Sequence, residues 1–266
     1  MSTLQALLLG IIQGLTEFLP VSSSAHLTFA EHILSVPKEG RLALDVLLHL
    51  GTLLSLLVFF ATRIVRLAGD LFRPDPTRQP AARRILLAIV IGTVPAGVIG
   101  YLLSDKLDIV FETTTYSAVF LLVTGCVLFA TRWSKERKTG AGWLDGLVVG
   151  CAQAISLLPG ISRSGSTIAA SLFQGLGRSE AFEFSFLLSI PAVLGAALLK
   201  LKDSPLMHGG AGPTLPLLLG IAVSFVTGLL ALFLLRRVLL KKRLHWFAYY
   251  CWIVGAVALV LSLIRR

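Results

Sequence analysis

Two short polar segments interrupt otherwise apolar sequence, and they carry the residue types that chemistry requires. The first runs Gln13-Gly-Leu-Thr-Glu17-Phe-Leu-Pro20-Val-Ser22-Ser23-Ser24-Ala-His26. Gln13 and Glu17 are four residues apart and share one helix face. A carboxylate and an amide oxygen so placed form half a site for a hard divalent cation such as Mg²⁺ or Ca²⁺. Pro20 ends that helix, Ser22, Ser23 and Ser24 supply hydroxyls and N–H groups, and His26 can serve as acid, base or nucleophile near neutral pH. The second segment runs Pro159-Gly160-Ile161-Ser162-Arg163-Ser164-Gly165-Ser166-Thr167. Arg163 beside a Gly/Ser turn that opens a helix suits phosphate, because guanidinium binds it bidentately and a helix N-terminus adds N–H groups and dipole. Ser22, Ser24, Ser162, Ser164 and Gly165 join Arg163 as candidate substrate contacts. The plainer readings are that the serines satisfy loop backbone and that Glu17 neutralises Arg163. That pairing can coexist with a substrate that displaces it.

These segments sit in a chain of 266 residues that is 55% hydrophobic and only 14% charged, with mean hydropathy +0.84. Soluble domains carry about 25% charged residues, so a water-soluble globule is excluded and an all-α polytopic membrane protein is expected. A spanning helix needs roughly 20 apolar residues. Six stretches qualify, near 42–62, 85–104, 115–131, 181–200, 214–235 and 246–264. Residues 3–34 and 144–177 are also apolar, but each is broken at its middle by one of the polar segments. The halves are too short to cross alone, which predicts two re-entrant helix–loop–helix hairpins whose non-helical backbone is solvated by protein or a water-filled cavity. The alternative is two spanning helices per stretch, or one kinked helix. Among the other polar residues, His49 reads as a satisfied core histidine, and Asp45 and Glu183 as supports for the polar segments or helix caps. Pro95 and Pro191 are expected to kink their spans.

The net charge of +10 collects unevenly. Basic residues crowd 63–84, 132–143 and 236–245, whereas 105–114 holds Asp105, Asp108 and Glu112 against Lys106 alone. The positive-inside rule puts the three basic loops in the cytoplasm and the acidic one outside. Both termini are then external, the first hairpin dips in from outside and the second from the cytoplasm; Arg265 and Arg266 are discordant. The charge needs no nucleic acid to explain it. Cys126, Cys151 and Cys251 have no paired spacing and form neither a disulfide framework nor a zinc site. No cleavable signal peptide is expected from MSTLQALLLGIIQG.

The chain also matches itself at an offset of 140: Gly10 with Gly150, Gln13 with Gln153, Ser22 with Ser162, Ser24 with Ser164, and Leu47-Leu48 with Leu187-Leu188. A single membrane domain (1–266) built of two repeats, about 1–131 and 144–264, follows. Each repeat is one hairpin plus three spans. Three is odd, so the second repeat is inverted, an architecture of secondary transporters. Chance similarity of Leu- and Ser-rich segments is the alternative. A true repeat sets the two polar segments face to face at mid-depth.

QGLTEFLPVSSSAH and LPGISRSGSTIA resemble the two signature segments of the bacterial undecaprenyl-diphosphate phosphatases, the bacitracin-resistance membrane family. LDVLLHLGTLLS at 44–55 and FSFLLSIPAVLG at 184–195 resemble its flanking spans, so the likeness covers nearly the whole chain. The resemblance implies hydrolysis of undecaprenyl diphosphate to undecaprenyl phosphate and phosphate in the bacterial inner membrane. That reaction recycles the lipid carrier for peptidoglycan and confers bacitracin resistance. It also implies dependence on Mg²⁺ or Ca²⁺ and a site opening to the external, periplasmic side. Gln13 and Glu17 fill the family's two acidic-motif positions, Ser23 and His26 the serine and histidine after its proline, and Arg163 the arginine of its second motif. Gln13 stands where many members have Glu, which puts the number of metal ligands and the metal affinity in question.

On this reading Arg163 and a cation held by Glu17 and Gln13 clamp the diphosphate, Ser23 attacks and His26 deprotonates it. Direct attack by His26 or by a metal-activated water is also open. The expected partners are the polyprenyl diphosphate and membrane lipid; a homodimer is left open. A transporter of undecaprenyl phosphate, instead of or besides hydrolysis, is the competing class. The acid-phosphatase-like lipid phosphatases need a second His soon after a Ser-Arg segment. Only His208 and His245 follow Ser162-Arg163, both far away in expected loops.

Overall fold

The computed structural model describes residues 2–36, 38–73, 75–111, 114–202 and 214–264. Glu112, His208, Arg265 and Arg266 lie outside them, as do the side chains of Asp105, Lys106 and Asp108. Among the described residues ten α-helices follow in order: α1 Thr3–Phe18, α2 Ser23–Ile33, α3 Lys38–Phe72, α4 Arg78–Phe111, α5 Thr114–Ala130, α6 Trp143–Ile155, α7 Arg163–Phe173, α8 Arg178–Lys202, α9 Leu215–Leu240 and α10 Trp246–Ile264. The protein is an all-α polytopic membrane protein. Six segments of the described residues are long and apolar enough to cross a bilayer: Leu44–Phe72, Arg78–Leu102, Thr114–Trp133, Arg178–Leu199, Leu215–Leu240 and Trp246–Ile264.

Of the charged runs read as loops, 63–84 belongs mostly to helices and 236–245 in part, whereas 132–143 is a loop after a short turn at Thr131–Trp133. The α3 helix continues through Arg63 and Arg66 to Phe72, α4 starts at Arg78, and α9 carries Arg236 and Arg237. The acidic run likewise falls mostly on the α4 backbone, which ends at Phe111. Where a span leaves the apolar layer its backbone hydrogen bonds remain intrahelical, so charge alone does not end it. The 35 residues of α3 extend about 50 Å at about 1.5 Å per residue, well beyond the roughly 30 Å hydrocarbon thickness.

The two broken stretches fold as short helix pairs, α1–α2 and α6–α7, with helices of 16, 11, 13 and 11 residues. None reaches the length of a span. Each pair is held by a crossing of bare backbone. Gly10 of α1 lies so close to α9 that an added Cβ would meet the Gly220 carbonyl oxygen at 2.6 Å, and Gly150 of α6 meets Gly92 of α4 in the same way. The α1–α9 and α4–α6 pairs are two of the three most extensive helix contacts, with α5–α10 the third. Below the polar segments, Phe18, Phe60, Phe182 and Phe186 pack edge-on and tilted, joining α1, α3 and α8 in the main core. Apolar side chains such as Val58, Val94, Leu230 and Ile253 face outward on the spans, the surface that lipid covers.

Candidate active site

The first polar segment lies between α1 and α2. Leu19 leaves the helix into extended backbone, and Ser22 takes a positive φ of 67° before α2 begins. Positive φ is uncommon for a residue with a Cβ and is often held in place at functional sites. The second segment turns at Gly160, whose φ of 100° and contact with the Ser117 carbonyl leave no room for a side chain. Ser162 then caps α7, its Oγ accepting from the Gly165 N–H at 3.2 Å. Thr124 of α5 pins this turn at both ends, donating to the Gly160 carbonyl at 2.9 Å and accepting from the Ser162 N–H at 3.1 Å.

The two segments meet. A Cβ on Gly165 would touch Pro20 at 3.2 Å, and the Arg163 guanidinium donates to Glu17 Oε1. The other oxygen, Oε2, accepts from the Ser23 hydroxyl at 2.7 Å and from the Gln13 amide at 3.1 Å. Glu17 is 8% exposed and Gln13 fully buried, so the carboxylate is solvated by side chains from four positions instead of water. His49 of α3 is the fourth: its Nε2 is 3.7 Å from Oε2. Its Nδ1 contacts the Asp45 carbonyl at 2.7 Å; a carbonyl can only accept, so Nδ1 carries the hydrogen. His49 is therefore part of the site and not a bystander in the core.

His26 is not the partner of Ser23. Its Nδ1 donates to the Ser22 carbonyl at 2.9 Å and its Nε2 meets the Tyr250 hydroxyl of α10 at 2.8 Å. The hydroxyl beside Ser23 is instead served by Glu17. Ser22 and Ser24 share a hydrogen bond at 3.1 Å, Ser162 and Ser164 one at 3.3 Å, and Ser164 also reaches the Leu19 carbonyl at 3.4 Å. These four serines spend much of their capacity tying the turns together. Glu183 pairs with Arg63 of α3 at 2.5 Å, away from this cluster.

Two buried donors and acceptors at the centre are left open: Arg163 Nη1 and Gln13 Oε1 have no hydrogen-bond partner. The first can add to an anion as part of the guanidinium fork. The second, next to Glu17, is an oxygen donor of the kind a hard cation takes. Gln13 turns its amide nitrogen to Glu17, so the two supply a two-oxygen half-site for a divalent cation only with that amide rotated, and among the described residues no group of three or more His, Cys, Asp or Glu side chains completes it. A bound diphosphate has the oxygens to do so.

Sequence reading missed His49, Tyr250 and Thr124 as members or supports of this cluster. They arrive from α3, α10 and α5, and only the polar side chain on an apolar helix marked any of them.

A profile of the family described as bacitracin resistance protein BacA matches residues 6–257. Among similar proteins, one from Alkaliphilus metalliredigens (strain QYMF) is 40% identical over 281 residues, covering 99% of this chain and 100% of the relative. One from Desulfatibacillum aliphaticivorans is 42% identical over 279 residues, covering 99% and 100%. A third, from Syntrophotalea carbinolica (strain DSM 2380 / NBRC 103641 / GraBd1), is 41% identical over 266 residues, covering 98% and 100%. All three are named undecaprenyl-diphosphatase.

Proposed function

The chain belongs to the bacitracin resistance protein BacA family, and we infer that it is an undecaprenyl-diphosphate phosphatase, a hydrolase that releases phosphate from the lipid diphosphate. The observation that carries this reading is the joining of the two polar segments at one buried point, where Arg163 and Ser23 both bond Glu17. Regeneration of the monophosphate carrier for peptidoglycan, and resistance to bacitracin, follow from that reaction.

Diphosphate cleavage requires charge neutralisation and an in-line nucleophile. Arg163, with one amino group already free, takes the terminal phosphate; the α7 N-terminus opens beside it. Ser23 Oγ attacks phosphorus, its proton passes to the Glu17 carboxylate it already bonds, and the bond to the bridging oxygen breaks, releasing undecaprenyl phosphate. Water then hydrolyses the phosphoserine. His26, whose Nε2 is not tied to Ser23, serves as the base for that water. His49 stays beside Glu17 once Arg163 turns to substrate. Glu17 and Gln13 would hold a divalent cation, Mg²⁺ or Ca²⁺, which when bound would supply further neutralisation of diphosphate charge.

The halves are proposed to be an inverted repeat with both hairpins re-entrant. The exchange of partners supports it: α1 pairs with α9 as α6 pairs with α4, each across facing glycines. We further propose a site in the bacterial inner membrane that opens toward the external side, where lipid diphosphate enters between helices; the charge asymmetry of the loops supports that orientation. No observation favours transport over hydrolysis. A homodimer is compatible with the exposed apolar faces, and nucleic acid has no part in the reading.

The test is phosphate release from undecaprenyl diphosphate by purified protein in detergent, with Mg²⁺ or with EDTA, alongside Glu17→Ala. Release that needs the cation and is lost in the variant is expected. No release from the wild-type protein in active lipid conditions would overturn the reading, and release that survives EDTA would remove the cation from it.

A further inference from the structure

Tyr250 lies 224 positions from His26 in sequence, yet its hydroxyl is 2.8 Å from His26 Nε2. The two rings also stack, with centroids 5.7 Å apart and planes 11° from parallel. The other ring nitrogen of His26 donates to the Ser22 carbonyl, so in the neutral imidazole the hydrogen sits on Nδ1 and Nε2 holds a lone pair. The Tyr250 hydroxyl is the donor to that lone pair. Both ring nitrogens are thus fixed, one by the strained turn of the first polar segment and one by α10. The next residue secures the same place: the Cys251 thiol, fully buried, reaches the Pro20 carbonyl at 3.5 Å. Tyr250 itself is 44% exposed on the outer surface of the helices, so it stands between His26 and lipid.

We propose that Tyr250 is a positioning residue for the hydrolysis, holding His26 with Nε2 unprotonated and directed along the lipid-facing edge of the site, and that its ring forms the wall a lipid diphosphate passes. The proposal rests on the phosphatase reading above. Its logic is that a base must have the correct nitrogen unprotonated and aimed before substrate arrives, and the hydroxyl holds Nε2 so until the attacking water takes its place. One hydroxyl supplies the aim, and a reorientation of one exposed side chain supplies the passage.

Tyr250→Phe removes the hydroxyl and keeps the ring. One hydrogen bond to a reacting group is worth roughly ten-fold in rate. The variant is therefore expected to lose about ten-fold in kcat with KM within about two-fold, the mark of a group that acts on the chemical step and not on binding. ¹⁵N spectra of histidine-labelled protein, with the His26 signals assigned by His26→Gln, should show the Nδ1–H tautomer set by the Ser22 carbonyl in both proteins, with the Nε2 resonance shifted in Tyr250→Phe by loss of the hydroxyl's hydrogen bond. Tyr249→Phe, whose ring packs on Phe129 and Trp252 instead, is the control and should change neither readout. Wild-type kcat in Tyr250→Phe, or an unchanged His26 Nε2 resonance, overturns the positioning role. A wild-type protein that releases no phosphate fails the phosphatase reading instead, and the Nε2 spectra then still decide whether Tyr250 holds His26.

Discussion

At Glu17 a single buried carboxylate takes donors from Arg163, Ser23 and Gln13 and has His49 beside it. The charge balance at rest therefore comes from Arg163, and a diphosphate that recruits Arg163 leaves Glu17 better able to accept the Ser23 proton. Arg163→Ala removes a preorganised donor aimed at developing charge and should lower kcat/KM roughly 100- to 1,000-fold, measured as phosphate release at saturating cation. Turnover near wild type would contradict the clamp. Ser23→Ala should abolish a trapped phosphoenzyme along with activity, and label found on His26 instead would reassign the nucleophile. Gln13→Glu adds a second carboxylate beside Glu17. It should tighten Mg²⁺ binding in calorimetry and shift half-maximal activity to lower Mg²⁺; an unchanged binding isotherm would take position 13 out of the cation site. These four side chains were legible because each stands as a polar residue in an apolar run. His49 and Tyr250 were not, since a lone polar group on a spanning helix has the same appearance whether it faces a site or satisfies itself locally.

At the scale of elements, the hairpins exist because glycine lets helices approach backbone to backbone. Gly150→Leu would push a side chain into the Gly92 carbonyl. Overpacking of this kind costs about 1–3 kcal/mol, so the variant should melt at lower temperature in detergent. Gly69→Leu, where an added Cβ meets nothing within 4 Å, should melt with the wild type, and equal melting of both variants would deny the crossing its role. The turn between α3 and α4 gives an element-scale dependence on pH. Asp75 accepts from the Thr77 hydroxyl at 2.7 Å and from the Arg78 and Thr77 N–H groups at 3.0 and 2.9 Å. The Thr77 hydroxyl, then those N–H groups, pull its carboxyl down to about 2. A depressed folded-state value means that the contribution is complete above the ordinary carboxyl range and vanishes as pH falls through about 2. Asp75→Ala should thus melt below the wild type at pH 6, with the gap closing between pH 4 and pH 2. A gap that persists at pH 2 would assign the effect to something other than the carboxylate. The spans themselves were readable from length and hydropathy, whereas their charged extensions were not, because a positive residue marks where lipid ends and not where the helix does.

Over the whole molecule, three spans, α3, α4 and α5, separate the first hairpin from the second. If both hairpins are re-entrant as proposed, that odd number has them enter the apolar layer from opposite sides. On that topology the contact between Glu17 and Arg163 joins two short helix pairs that come from either face. Single cysteines in a background lacking Cys126, Cys151 and Cys251 test it with a membrane-impermeant maleimide. Ser35→Cys and Thr214→Cys should label in intact cells, while Thr77→Cys, Lys135→Cys and Lys241→Cys should label only after permeabilisation. Labelling of Thr77→Cys and Ser35→Cys from the same side would break the alternation of spans, and with it the inverted relation that sets Arg163 against Glu17 from the opposite half of the chain.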